Sequence, residues 1–387
     1  MRKSFKYRLY PTPGQTRLLV QTLEECRWLY NQTLAYRRDA WKDRHESVSR
    51  YDTIKLIPGW KQERPSLKRV HSQVLQEVCT RVDLAFQAFF RRAKAGEEPG
   101  LPCGAPRSVY VDAWAAPSGA PRFRGKGRYD SFTFPQFGFS LESDKRRLNL
   151  SKIGDVKIVL HRLVEGTIKT LTIRRTATGK WYASFSVEVE CEPLEPSPHV
   201  VGVDVGLESF ATLSTGEKIE NPRFFRRDEK ALTKAQRKLS AAEKGTPERT
   251  KRRNVVARIH GRIANRRSDF AHKLARRLVS ENQIVVFEDL NTNGMLKNHC
   301  LAKSISDAAW NQLVQYATYK AECAGRRVVL VNPRNTSKAC SGCGELVEKS
   351  LSVRVHRCPS CGLVLDRDHN AALNILALGL QSLGANP

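Results

Sequence analysis

Apolar and polar residues alternate at the start of the chain. Phe5, Tyr7 and Leu9 are separated by Lys6 and Arg8, which predicts a half-buried opening strand. The period then changes. Leu19, Leu23, Cys26, Tyr30 and Leu34 recur every three or four residues, so one face of a helix is apolar. Thr12 is placed as its N-cap, with Pro13 at the first helical position and Gln15 three residues after the cap, the capping-box pattern. Residues 43–68 are polar, carry two prolines and read as a connection. Leu75, Val78, Val82, Phe86 and Phe89 mark a second helix that ends in Arg91, Arg92 and Lys94. The two stripes are expected to pack against each other and leave basic faces outward.

Gly, Pro and small residues dominate from about residue 98 to 122, a loop composition. Strand patterns follow. Val156, Ile158 and Leu160 alternate with polar residues, as do Trp181, Ala183, Phe185, Val187 and Val189, and Thr178-Gly179-Lys180 supplies a hairpin turn before the second run. The expected fold class is therefore α/β plus β. An N-terminal β-barrel is formed by residues 1–12 and 98–197, and residues 13–97 are a helical insertion in it. The polar, Pro-containing stretch 191–199 marks a domain boundary.

Beyond it, residues 200–206 (VVGVDVG) form a short buried strand, 210–214 (FATLS) its hairpin partner and 283–290 (QIVVFEDL) another buried strand. The segment 222–280 between them is helical, with Val255, Ile259, Ile263, Phe270, Leu274 and Leu278 as its apolar stripe.

Charge adds the first functional constraint. The 387 residues hold 66 Lys+Arg against 39 Asp+Glu, a net charge of +27. Such an excess repels itself and calls for a polyanion, nucleic acid before a membrane surface. No apolar run reaches the roughly 20 residues that cross a bilayer, and the first residues lack the apolar core of a secretory signal. The expectation is a soluble, cytoplasmic, nucleoid-associated protein. Between Arg223 and Arg277 there are 19 Lys+Arg and 5 Asp+Glu, about half of the whole excess. Arg252, Arg253, Arg258, Arg262, Arg266 and Arg267 in this segment are candidates for contacts to a nucleic-acid backbone.

Three separated acids sit where metal ligands would. Asp204 falls late in one buried strand, Glu288 ends a second, and Asp366 or Asp368 precedes the helix suggested by Ala371, Ala372, Ile375, Leu376 and Leu380. Asp368 is placed just before or at the cap of that helix, and capping alone explains one of the last two; Asp368 is preferred as the ligand. Glu208 and Asp289 are read as bystanders. Carboxylates of this kind hold Mg²⁺ and leave room for phosphate, and two ions can clamp an in-line attack on a phosphodiester. Cys340-x2-Cys343 and Cys358-x2-Cys361 have the spacing of a closed, structural Zn²⁺ site, with His356 superfluous. Cys26, Cys79, Cys103, Cys191, Cys300 and Cys323 lack mutual spacing and are expected as small buried hydrophobes. The residues alone lead to the expectation of a metal-dependent nuclease on an RNase H-like sheet with a zinc ribbon and a basic N-terminal region.

The motifs GVDVG, FEDL, SDAAW, NTSKACSGCG, HRCPSCG and DRDHNAALNIL, in this order, resemble the transposon-encoded TnpB family, relatives of type V CRISPR effectors. The N-terminal stretches YRLYPTPGQ, WLYNQTLAYR, FFRRAKAG, PRFRGKGRYDSFTFPQ and GKWYASFSVEVE are similar to that family's wedge and recognition regions. The resemblance implies an RNA-guided DNA endonuclease that binds a guide RNA and cuts target double-stranded DNA beside a short motif, with no membrane partner. It implies a RuvC nuclease domain over 198–337, a zinc ribbon over 338–364 and a closing RuvC part over 365–387. Asp204, Glu288 and Asp368 become its acidic triad. Other readings stay open: a nuclease-silent RNA-guided repressor, a miniature type V CRISPR effector, and a guide-independent nuclease or generic zinc-ribbon DNA binder. Residues 103–120, which hold Tyr110 and Trp114, depart from the family pattern and read as a tolerated surface insertion.

Overall fold

A computed structural model describes residues 1–95, 120–350 and 353–384. Most of the insertion expected at 103–120, with Cys103, Tyr110 and Trp114, lies outside the described residues. The chain divides into two compact units, Met1–Glu190 and Cys191–Pro387.

The first unit opens with β1 (Arg2–Tyr10), in which Phe5, Tyr7 and Leu9 are buried as their alternation requires. Helix α1 (Pro13–Arg44) follows, and both halves of the Thr12/Gln15 capping box are present. Leu19, Leu23, Cys26, Tyr30 and Leu34 all lie on its buried face. The polar stretch read as a connection is largely helical instead, with α2 (Arg50–Lys55), α3 (Ile57–Glu63) and a 3₁₀ turn at Pro65–Arg69. The reason is local. Ser49 and Asp52 form a second capping box, and Pro58 falls in the first turn of a helix, where a proline is tolerated. Helix α4 (Ser72–Lys94) pairs with α1, held by Arg37 on Asp83 at 2.7 Å.

Six further strands complete an antiparallel sheet: β2 (Ser131–Phe134), β3 (Phe139–Glu142), β4 (Arg147–Leu150), β5 (Gly154–Val159), β6 (Thr167–Arg175) and β7 (Trp181–Glu188). Their order is β2-β6-β7-β1-β5-β4-β3. The two edge strands are consecutive in the chain and joined by residues 135–138 alone, so the sheet curls into a nearly closed barrel. Phe132, Phe134, Leu148, Val156, Ile158, Ile173, Trp181 and Phe185 fill its interior.

The second unit is a five-stranded mixed sheet with helices. Its strands are β8 (Val200–Val205), β9 (Ser209–Leu213), β10 (Lys218–Glu220), β11 (Ile284–Glu288) and β12 (Arg327–Val331), in the order β10-β9-β8-β11-β12. Strands β8, β11 and β12 run parallel, while β9 and β10 are antiparallel to their neighbours. Helices α5 (Phe224–Ala241) and α6 (Pro247–Glu281) form a long hairpin between β10 and β11, broken where Gly245 adopts a positive φ of 91°. Helices α7 (Thr292–Met295), α8 (Ala302–Ala308) and α9 (Trp310–Ala324) lead to β12. The small hairpin β13 (Val355–Arg357) and β14 (Val364–Asp366) then feeds α10 (Arg367–Ser382), which packs on the central strands.

This unit departs from the sequence expectations at three points. The stripe on α6 passes through Val256 rather than Val255, which is 39% exposed, because Val256, Ile259 and Ile263 keep the three-four spacing that meets Leu232 and Ala235 of α5. Cys191 and Cys323 are joined as a disulfide, with Cα atoms 5.2 Å apart, rather than buried as separate hydrophobes. The backbone brings them together by lacing residues 194–199 along the end of α9 and the start of β11; Leu194 N donates to Ala324 O at 3.0 Å. Cys300 is exposed, also against expectation, because it lies in the short turn between α7 and α8.

Candidate active site

Strand pairing puts the first two acids side by side. Val203 of β8 is in register with Phe287 of β11, so the next residues, Asp204 and Glu288, stand at the carboxyl ends of adjacent parallel strands. Gly202 determines how α10 meets them. A Cβ on Gly202 would lie 2.2 Å from the Ala372 carbonyl oxygen and 2.8 Å from Leu376 N, so only a glycine lets the helix backbone come this close. Gly202 and Asp204 share one face of the strand, and Asp368 lies one helical turn before Ala372. The same close approach thus delivers Asp368 to Asp204.

The electrostatics follow from that convergence. Burial first, and then the charges of Glu288 and Asp368, hold the Asp204 carboxyl well above the usual carboxylate range. Burial also raises Glu288, against the opposing effect of a hydrogen bond from Thr336. An all-oxygen donor set of mutually repelling acids suits hard divalent cations and not thiophilic ones.

Asp366 has a different occupation. It caps α10, accepting from Asp368 N at 3.0 Å and His369 N at 3.2 Å, and Lys218 Nζ sits on its other oxygen at 2.6 Å. Burial would raise its carboxyl, but Lys218 and the two amides outweigh it and hold it below the usual range. Asp368 lies in the first turn, beyond the cap. Glu208 pairs with Arg354 at 2.8 Å, and Asp289 is exposed past the end of β11.

The four cysteines meet with all Sγ atoms within 4.8 Å of one another. Cys340 and Cys361 are 3.6 Å apart and Cys343 and Cys358 3.5 Å, close to the S···S edge of about 3.8 Å expected for tetrahedral zinc with Zn–S of about 2.3 Å. Each pair turns through a knuckle in which a glycine with positive φ donates back to the first cysteine: Gly344 N to Cys340 O and Gly362 N to Cys358 O. His356 is fully buried, contacts Lys349 and is outside the thiol cluster. The ribbon is tied to α10. Asn370 and Asn374, one turn apart, both donate to Ala339 O at 2.7 and 2.8 Å, and Asn370 Oδ1 accepts from Ser341 N.

The six arginines chosen on α6 separate by role. Arg253 and Arg258 are exposed and pair with no acid among the described residues. Arg262 and Arg266 are exposed but share Asp228 of α5 at 3.6 and 3.2 Å, and Arg252 pairs with Glu248 one turn away. Arg267 departs from the sequence reading. Its guanidinium turns inward to Asp307 at 2.9 Å, and that carboxylate also accepts from Phe225 N at the start of α5. Asp307, Thr336 and Lys218 were not singled out from the sequence. Asp307 and Thr336 lie in SDAAW and NTSKACSGCG, so the motifs contained them without revealing their partners.

Comparison with known proteins decides the family. A family model described as "Probable transposase" matches residues 184–299, a "Cas12f1-like, TNB domain" model matches 310–375 and a "Helix-turn-helix domain" model matches 1–46. The "Putative RNA-guided DNA endonuclease" of Streptomyces pristinaespiralis is 39% identical over 388 residues, covering 98% of this chain and 90% of that protein. Its counterpart InsQ of Escherichia coli strain K12 is 30% identical over 400 residues, covering 97% and 92%. This chain belongs to the TnpB/IS605 family. Among solved structures, a Cas12f1-sgRNA-target DNA complex aligns with a TM-score of 0.56 at 13% identity, covering 97% of this chain and 98% of that one, a likeness of fold. The mini-RNA-guided endonuclease Cas_phi3 aligns at 0.53 and 9% identity, covering 98% and 92%. In this TnpB-family chain the segment matched as helix-turn-helix folds as strand β1 and the single unbroken helix α1. No helix among the described residues is long and apolar enough to cross a membrane.

Proposed function

We propose that this chain is a Mg²⁺-dependent, RNA-guided DNA endonuclease whose hydrolytic centre is a RuvC-type, RNase H-like site made by Asp204, Glu288 and Asp368. The observation that carries this reading is the buried Asp204, crowded by Glu288 and Asp368 at the end of the central strand. Uncompensated like charges of this kind cost folding free energy and cluster at functional sites. When bound, divalent cations neutralise the scissile phosphate and lower the pKa of the attacking water.

The chain's own residues divide the remaining work. Asp204 and Glu288, fixed by the pairing of β8 and β11, would hold the ions from the sheet, and Asp368 from the helix. Two ions rather than one would clamp both the attacking and the leaving oxygen of an in-line displacement. Lys218 keeps Asp366 engaged as a cap, so Asp368 remains available. Arg253 and Arg258, supported by Arg262 and Arg266, would bear on the sugar-phosphate backbone of the guide-target duplex, which charge and shape can read without sequence. A structural zinc on Cys340, Cys343, Cys358 and Cys361 would fix the path from β12 to α10.

Residues 1–12 and 98–190 serve as the wedge, 13–97 as the recognition region, 191–337 and 365–387 as the nuclease, and 338–364 as the ribbon; the stretch 191–197, read from the sequence as the end of the barrel, goes with the second unit because Cys191 is bonded to Cys323 and Leu194 N donates to Ala324 O. Support comes from relatives that carry the name RNA-guided DNA endonuclease over nearly the full chain. The test is to purify the protein with its co-purifying RNA, sequence that RNA, and challenge the complex with DNA matching its guide. The parent should cut in Mg²⁺, and Asp204→Ala should retain RNA and not cut; undiminished cutting by that variant overturns the assignment.

A further inference from the structure

Glu288 has one side-chain partner that the motifs do not explain. Thr336, 4% exposed, points its hydroxyl at Glu288 Oε1 at 2.5 Å. Thr336 Oγ1 also lies 3.1 Å from Pro333 O, but the nearer carboxylate oxygen is the stronger acceptor for the single hydroxyl proton. Thr336 is itself held from behind. Its carbonyl accepts from Asn374 Nδ2 at 2.8 Å, and that same amide reaches Ala339 O at 2.8 Å, the residue before the first zinc-knuckle cysteine. Three elements thus meet on one threonine: the end of β11, the segment entering the ribbon, and α10.

We infer that Thr336 is a positioning residue for the metal centre, its hydroxyl fixing the Glu288 carboxylate so that the opposite oxygen is presented to a divalent cation. The inference rests on the proposed assignment of Glu288 as a ligand. Hydrogen bonds to a ligating carboxylate orient it and reduce the freedom it loses on binding metal. A purely structural role for the hydroxyl, as a donor to Pro333 O, would leave the affinity of the site for a divalent cation unchanged.

The experiment measures Mn²⁺ affinity of the full chain by electron paramagnetic resonance, so that no cleavage is needed. Thr336→Ser keeps the hydroxyl and Thr336→Ala lacks it, while both lose the methyl group, so their difference isolates the hydroxyl even where packing loosens. Thr336→Ala is expected to bind Mn²⁺ about 10 to 100-fold more weakly than Thr336→Ser, with equal zinc content in the two. Equal Mn²⁺ affinity in the pair overturns the inference. Asp204→Ala distinguishes this from failure of the underlying reading: if it leaves Mn²⁺ binding unchanged, the metal centre itself is misassigned.

Discussion

Gly202 of β8 lies directly beneath the backbone of Ala372 in α10, so close that a Cβ would stand 2.2 Å from its carbonyl oxygen. Backbone cannot step aside as a side chain can. Gly202→Ala is therefore expected to destabilise the protein by about 1–3 kcal/mol and to reduce cleavage more than RNA binding, because it lifts the helix that carries Asp368. Thermal melts and single-turnover cleavage read the two effects. Gly379, farther along α10, provides the contrast: its Cβ would meet Val286 Cγ2 at 2.4 Å, a side chain. Gly379→Ala should be rescued by Val286→Ala, and Gly202→Ala should not.

The raised carboxyls of Asp204 and Glu288 set a pH dependence. A carboxyl whose value rises on folding binds more protons in the native state, so its contribution is fully present below the unfolded value and is lost as pH rises through the folded one. Without divalent cations, the parent should lose stability from about pH 4 upward relative to Asp204→Asn. The variant should melt higher at neutral pH, and Mg²⁺ should stabilise the parent but not the variant. A parent that melts at the same temperature as Asp204→Asn across this range would refute the repulsion.

Asp366 and Asp368 should separate cleanly. Asp366→Asn keeps one cap acceptor but loses the ion pair to Lys218, so it should cost about 0.5–1 kcal/mol of stability and leave measurable cleavage. Asp368→Asn should leave stability near the parent's and abolish cleavage. The reverse pattern in melts and cleavage assays would exchange their roles.

Cys340→Ser should lower zinc content below one per chain, measured by emission spectroscopy. Because Ala339 is tied to Asn370 and Asn374, hydrogen exchange should also rise in the first turns of α10. Exchange that changes in the ribbon alone would show that the tether does not transmit the loss.

Much of this arrangement was legible in the sequence for a physical reason. Period-2 runs gave β1, β5 and β7, the capping box gave the start of α1, and buried apolar runs ending in an acid gave the ends of β8 and β11. What the sequence left open depends on partners distant in the chain. Helix capping explains one of Asp366 and Asp368 without saying which, and the sequence puts Asp368 at or just before the cap, where the structure has Asp366; the partner that occupies Asp366 is Lys218, 148 positions away. Cys191 and Cys323 are 132 apart, and no local spacing announces such a pair. Arg267 reads as one more surface cation until Asp307 is seen behind it.

The α5–α6 hairpin leaves the sheet after β10 and returns at β11, where Ile284 re-enters register with Val200. Its distal half has a small core of its own, Leu232, Ala235, Ile259 and Ile263, apart from the larger core that holds Leu274 and Leu278. The outer half is thus an exchangeable cassette. Lengthening a connection costs only about 0.6 kcal/mol per doubling, so the reach and charge of this arm can be re-engineered while strand pairing keeps Asp204 and Glu288 side by side.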